Sequence, residues 1–198
     1  MITSASHNEA TDGVQELVDQ MIAAVRSDTY FLALFAALCV PDICGALSSS
    51  NGEASKKKFT DWYQKWYAPL RTIGNPYSGP FSFKADPQHR PALDASECYD
   101  FRCGMLHQGR TQNRRLKEKG RKIVFVEPGA ANAGMHDVQI GGIVCIDLVP
   151  FCYAMHFAYQ NWLQSSRGER NVTKNLSYSL KRYSRGYPRV ALGVPVIG

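Results

Sequence analysis

The chain lacks the marks of a metal protein, a secreted protein or a nucleotide-phosphate binder. Its six cysteines include no C-x-x-C pair, and no Cys/His group has zinc-finger spacing. A structural zinc site is therefore not expected, and neither is a disulfide framework. Cys39, Cys44, Cys98, Cys103, Cys145 and Cys152 fall mostly within apolar runs and read as reduced, buried thiols of a cytoplasmic protein. The opening MITSASHNEATDG shows no basic stretch followed by an apolar core, so no secretory leader is expected. Neither G-x-x-x-x-G-K nor G-x-G-x-x-G occurs, and the loop EPGAANAGM (127–135) gives no support to a phosphate cradle. No internal repeat with a period of about 20–50 residues is visible.

An unbroken membrane span is missing too. YFLALFAALCVPDICGAL (30–47) comes nearest, but Pro41 and Asp42 interrupt it. A carboxylate at a bilayer centre costs about 2.5–3.5 kcal/mol, so the segment reads as a core helix kinked at Pro41, with no membrane partner. Acids are also scarce: 17 Asp and Glu stand against 23 Lys and Arg, for a net charge of +6.

What is present fits one soluble domain over residues 1–198 with a basic tail from about 166. At 22.1 kDa and 44% apolar it can bury roughly 70% of its unfolded surface. Asp12 and Gln15 form a D-x-x-Q box before Val14, Leu17, Val18, Met21, Ile22 and Val25, the rhythm of an amphipathic helix. Ser27 and Asp28 would cap the helix to Leu47. A polar loop (48–58) precedes Phe59, Trp62, Tyr63, Trp66, Tyr67 and Leu70, an aromatic helix face of the kind that packs a core. Residues 73–92 carry four prolines and two glycines and read as a long loop. Asp94 and Glu97 form a second box. Ile123–Val126 and Val138–Ile146 suggest two strands of a hairpin, and Asp147 would cap a last apolar helix to about Leu163. The fold class expected is all-α: an up-and-down helical bundle with a small β-hairpin inserted before its last long helix.

The positive charge is clustered. Eight Lys/Arg lie between Arg102 and Lys122 against Glu118 alone. Seven lie between Arg167 and Arg189 against Glu169, with Tyr178, Tyr183 and Tyr187 interleaved. Two such zones point to a polyanionic partner, RNA or DNA before membrane; two solvated surfaces are the plainer alternative.

The first zone begins in ECYDFRCGMLHQGR (97–110). Arginine offers a charged planar fork that matches two phosphate oxygens, and histidine moves protons near neutrality. Arg102 and His107 therefore hold the groups needed to cleave RNA through its own 2′-hydroxyl. The spacing alone decides nothing. Among 13 arginines and five histidines, on the order of one such match is expected by chance, and residues five apart on a helix point about 140° from each other. A packing arginine paired with Asp42, with His107 capping a helix end, is the competing reading. Asp100 is a candidate to orient the pair, and Arg110, Arg114 and Arg115 could track a phosphate backbone. His156 reads as a satisfied core histidine; His136 has no evident partner.

RCGMLHQG (102–109), preceded by ALCVPDICGAL (37–47) and FTDWYQKWYAPL (59–70), resembles the HEPN superfamily, whose ribonucleases carry an R-x(4–6)-H motif late in a helical bundle. The resemblance covers about residues 28–110. It implies metal-independent endoribonuclease activity without a cofactor, at a site composed across a homodimer. Arg102 would bind the scissile phosphate, and His107 would act at the 2′-hydroxyl or the leaving 5′-oxygen. Many members are toxins or act in phage defence, some with an antitoxin protein as partner. Active members often have a polar residue after the arginine; Cys103 stands there here, which lowers the activity expected. A non-catalytic RNA- or protein-binding module of the same family is the alternative.

Overall fold

A computed structural model describes residues 10–71, 92–129, 135–187 and 190–198. The N-terminal MITSASHNE, nearly all of the Pro-rich 73–92 loop, part of the 127–135 loop and Arg189 lie outside the described residues.

Chain order begins with strand β1 (Ala10–Asp12), helix α1 (Gly13–Arg26), helix α2 (Tyr30–Leu47) and helix α3 (Lys56–Trp62). One π-helical turn (Tyr63–Tyr67) and one 3₁₀ turn (Ala68–Leu70) prolong α3. There follow α4 (Ala95–Gln108), α5 (Arg114–Glu118), β2 (Lys122–Val126), β3 (Val138–Ile140), β4 (Ile143–Asp147) and α6 (Leu148–Ser165). The chain closes with α7 (Arg170–Leu176) and the short strands β5 (Lys181–Tyr183), β6 (Gly186–Tyr187), β7 (Ala191–Leu192) and β8 (Val196–Ile197).

The expected all-α class is therefore overturned. Helices and strands are mixed, and the strands form three small sheets, ordered β2-β4-β3, β1-β5-β8 and β6-β7. The expected hairpin is also corrected. Ile123–Val126 runs parallel to Ile143–Asp147, in register Ile123 to Val144, and the antiparallel partner of β4 is β3. Gly141, at φ 59°, and Gly142 turn the chain inside what reads as one strand, so the Val138–Ile146 run is itself the hairpin. The tail is folded as well: β5 clamps β1, with Arg182 opposite Thr11, and ties the end of the chain to the start of α1.

Helices α1, α2, α4 and α6 form close to where the periodicity placed them; α3 starts earlier, at Lys56 inside the expected loop, and α7 lies in what was expected to be a tail. Asp12 caps α1 by accepting from the Val14 amide at 2.9 Å, but Gln15 turns to Asp19 and closes no reciprocal box. At α2 the N-cap is Thr29, which makes no side-chain cap bond. Asp147 precedes α6 but spends its carboxylate on the Met135 amide, 3.1 Å from each oxygen. One core joins α1, α2, α3, α4 and α6, with α2 packed against α1, α3, α6 and α7. Among the described residues α2 is the one helix long and apolar enough to cross a membrane, and 56% of it is buried inside the protein.

The aromatic face of α3 is core, as its spacing suggests. Phe59, Tyr63 and Tyr67 follow one another at ring distances of 6.2 and 4.5 Å, and Tyr67 meets Phe151 of α6 at 5.3 Å. Phe151 continues to Phe125 of β2 at 5.0 Å, and Phe125 to Phe101 of α4 at 5.2 Å. This aromatic chain links the sheet to α4 and fixes the face that α4 turns outward.

Candidate functional site

Helix α4 starts and stops on side chains and glycines that can be named. Asp94 accepts from the Glu97 amide at 2.7 Å; the Glu97 carboxylate makes no box and instead grips Arg121 at 2.9 and 3.0 Å. Gly109, at φ 61°, ends the helix. Its amide donates to the Met105 carbonyl at 3.1 Å, and the Arg110 amide reaches back to Gly104 at 3.0 Å. A Cβ at position 104 would lie 2.8 Å from the Arg110 carbonyl oxygen, so glycine there lets the outgoing chain fold back on the helix. Asn113 seals that return, donating to the Asp100 carbonyl at 2.6 Å and capping α5 through Leu116. The motif RCGMLHQG is thus a helix end, with His107 exposed in its last turn.

Arg102 and His107 meet despite their 140° separation. The long arginine side chain brings Nη1 to 3.1 Å from His107 Nε2. The other terminal nitrogen, Nη2, is ion-paired with Asp42 of α2. Nη1 also lies 3.8 Å from Cys103 Sγ, and Cζ stands 5.9 Å from the Tyr99 ring centroid. Arg102 is therefore the hub of a small cluster, with Asp42 beneath it and His107 at the surface.

Burial pushes the Asp42 carboxyl above its ordinary value; Arg102 and, more weakly, His107 pull it back. Burial also opposes the Arg102 charge, but Asp42 and then Cys103 and Cys39 hold that charge more firmly than usual. Cys39, on the α2 face beside Asp42, is raised by burial and lowered by Arg102. The cluster thus keeps a permanent cation half-buried next to an exposed imidazole, an arrangement able to bind an anion and pass a proton.

The remaining candidates divide. Asp100 is almost fully buried and turns away from Arg102 and His107, taking Arg115 at 3.0 Å and Lys56 at 3.3 Å on one carboxylate oxygen. It has no contact with the pair it was expected to orient. Arg110 is exposed just past the helix end; Arg114 is exposed and bridges to Glu118 at 2.9 Å; Arg115 is held by Asp100. His136 Nε2 donates to the Arg71 carbonyl, 2.7 Å away. His156 is half-buried, and its Nδ1 finds no partner among the described residues, so the expected satisfaction is not observed. Among those residues no group of three or more His, Cys, Asp or Glu is placed to hold a metal ion.

Tyr99 and Lys56 belong to the site's surroundings and were not singled out from the sequence. Tyr99 was legible in principle, since a residue three before Arg102 shares its helix face. Lys56 was not, because it reaches Asp100 from another helix.

Comparison of the chain with protein-family models, with curated proteins and with solved structures finds no match.

Proposed function

We propose that the chain is a metal-independent endoribonuclease of HEPN type, with Arg102 and His107 at its centre. The observation that carries this reading is the 3.1 Å approach of a half-buried guanidinium to an exposed imidazole at a helix end. In the reaction the RNA 2′-oxygen bonds to phosphorus, the bond from phosphorus to the 5′-oxygen breaks, and a 2′,3′-cyclic phosphate remains. The 2′-hydroxyl gives up one proton and the leaving 5′-oxygen gains one. His107 serves one of these transfers, and Arg102 faces the charge that grows on the phosphate oxygens. Asp42 acts through Arg102 as a positioning residue.

A homodimer is part of this reading. Phe31 and Phe35 are exposed on α2 and share one helical stripe with Cys39 and Asp42, at steps of four, four and three residues. Leu32 lies exposed beside them. An apolar strip that leads into the site supports a second copy seated there, where its own His107 could serve the other proton transfer.

Asp42 also supplies the observation that favours the second reading, a non-catalytic RNA-binding module. It occupies the Nη2 edge of Arg102 that a phosphate would take in a two-pronged contact. Incubation of the chain with varied RNAs in EDTA separates the two. The ribonuclease reading expects cut strands ending in 2′,3′-cyclic phosphate; the binder expects salt-sensitive retention of intact RNA.

A further inference from the structure

Asp100 has no part in the reaction, yet it organises a second group of charges beside the Arg102 cluster. Its side chain is 1% exposed, and one oxygen, Oδ1, takes both Lys56 Nζ at 3.3 Å and Arg115 Nη1 at 3.0 Å. The two cations come from different helices, α3 and α5, and converge on that single atom. Asp100 also fixes where α5 starts, because its carbonyl accepts from the Asn113 side chain, which caps the helix one residue before Arg114. One carboxylate thus faces two cations, and the group keeps a net positive charge. Among the described residues neither cation makes a second ion pair, whereas the charge of Arg102 is matched by Asp42. Both side chains reach solvent, Lys56 at 40% and Arg115 at 62% exposure. An ammonium has three N–H groups and a guanidinium five, so each keeps donors beyond the one given to Asp100.

Short distances join this group to Arg102 and His107. The centre of the Tyr99 ring is 5.4 Å from Lys56 Nζ and 5.9 Å from Arg102 Cζ. An edge contact with buried Phe59, at 5.2 Å between ring centres, holds that ring in place. Lys56 and Arg102 therefore border the same ring, and His107 Nε2 is 3.1 Å from Arg102 Nη1.

We propose that Lys56 and Arg115 bind the phosphate next to the scissile one, so that successive phosphates of one RNA strand rest on Arg102 and on this pair. The inference rests on the ribonuclease reading and adds a subsite to it. Two cations that converge on one point offer an anion charge-assisted hydrogen bonds from two directions. The spacing across a single aromatic ring suits neighbouring phosphates of the same strand. Because Asp100 neutralises only one of the two charges, the pair is held in position and still attracts an anion.

The test uses the full chain carrying His107→Ala, so that RNA survives the assay. Its probes are UpU, pUpU with a 5′-phosphate and UpUp with a 3′-phosphate; the last two differ from the first by a phosphate alone. One of them is expected to bind about tenfold more tightly than UpU, the scale of a hydrogen bond to a charged group. Adding Lys56→Gln or Arg115→Gln should each remove most of that gain and leave UpU binding unchanged. Each replacement leaves Asp100 one cation, and circular dichroism checks that the fold is kept. Adding Lys57→Gln, a neighbour paired with Asp61 at 2.6 Å, should preserve the gain. The subsite would be overturned by no gain from either phosphate, by a gain that survives both Lys56→Gln and Arg115→Gln, or by an equal loss in Lys57→Gln. Cleavage by the unmodified chain is measured separately. Cyclic-phosphate products without a gain would remove this subsite alone, and absence of cleavage would end the ribonuclease reading whatever the dinucleotides show.

Discussion

Helix α4 carries one member of each of two arginine–carboxylate pairs of nearly equal burial, yet the two are built differently. Arg121, 16% exposed, meets Glu97, 7% exposed, through Nε and Nη2, and Nη2 also donates to the Ala92 carbonyl at 2.5 Å. Every contact there is to a group of the core or its edge. Arg102, 17% exposed, meets Asp42, 10% exposed, through Nη2 alone and turns Nη1 to an exposed histidine. Its Nε is buried with no hydrogen-bond partner among the described residues. A two-pronged clamp with a carbonyl on its remaining edge holds α4 to the sheet. An arginine whose second edge ends at a titratable surface group can exchange partners. Burial of an ion pair does not distinguish structure from chemistry; what the second edge of the guanidinium faces does.

The largest effects should come from the open pair. Arg102→Ala is expected to lower the cleavage rate by about 10²–10³-fold or more, as loss of a donor at developing charge does. It should also cost about 3–5 kcal/mol of stability, because Asp42 is left buried and unpaired. Adding Asp42→Asn should restore much of that stability and none of the rate, as read by denaturant unfolding and initial rates. At the closed pair, Arg121→Met should cost about 3–5 kcal/mol through the orphaned Glu97, with cleavage per folded molecule unchanged. A rate loss matching that of Arg102→Ala would erase the contrast between the pairs.

Smaller effects sharpen it. Phe31→Ser with Phe35→Ser should shift the chain from dimer to monomer in sedimentation while its circular dichroism stays the same; an unchanged mass would remove the α2 strip from the account. His156 provides a titration remote from the site. Burial lowers its pKa, against Asp19 and with Arg26, so the folded state prefers the neutral ring. Its contribution to stability is therefore complete above the ordinary histidine value near 6.5 and is lost as pH falls through that value towards the folded one. Melting temperature should drop between about pH 7.5 and 5, and by less in His156→Gln. Thiol labelling should be slowest where burial is complete. Cys44, Cys98, Cys145 and Cys152 are buried, so iodoacetamide should modify half-buried Cys39 and Cys103 first.

Much of the helical frame was legible, and the reason is local. Val14, Val18, Met21, Ile22 and Val25 mark α1 by spacing alone, and Asp94 and Gly109 mark the ends of α4 by capping chemistry that needs no distant partner. Strand pairing was not legible. The β-branched and aromatic run Ile123–Val126 says that a strand exists, but its parallel pairing with Ile143–Asp147 goes with the packing of Phe125 on Phe101 and Phe151, which are distant in sequence. The folded tail was hidden for the same reason: β5 is three polar or aromatic residues whose partner, β1, lies at the other end of the described chain. At the site, the pairing of Asp42 with Arg102 could be anticipated, since a carboxylate in an apolar helix needs a cation. The meeting of Arg102 with His107 could not be read from helix angles, because side-chain length overcomes them. Asp100 was misjudged from its nearness in sequence; two residues along a helix point to nearly opposite sides, and it serves Lys56 and Arg115 instead.

The most direct test is single-turnover RNA cleavage in EDTA by the unmodified chain and by His107→Ala, with circular dichroism to show that both are folded. An exposed histidine in the last helical turn can be removed at little cost to stability, so a lost reaction can be assigned to the missing imidazole. The account predicts cyclic-phosphate products from the unmodified chain and a rate lower by about 10²–10⁴-fold in the variant. Equal rates in the two proteins would contradict it.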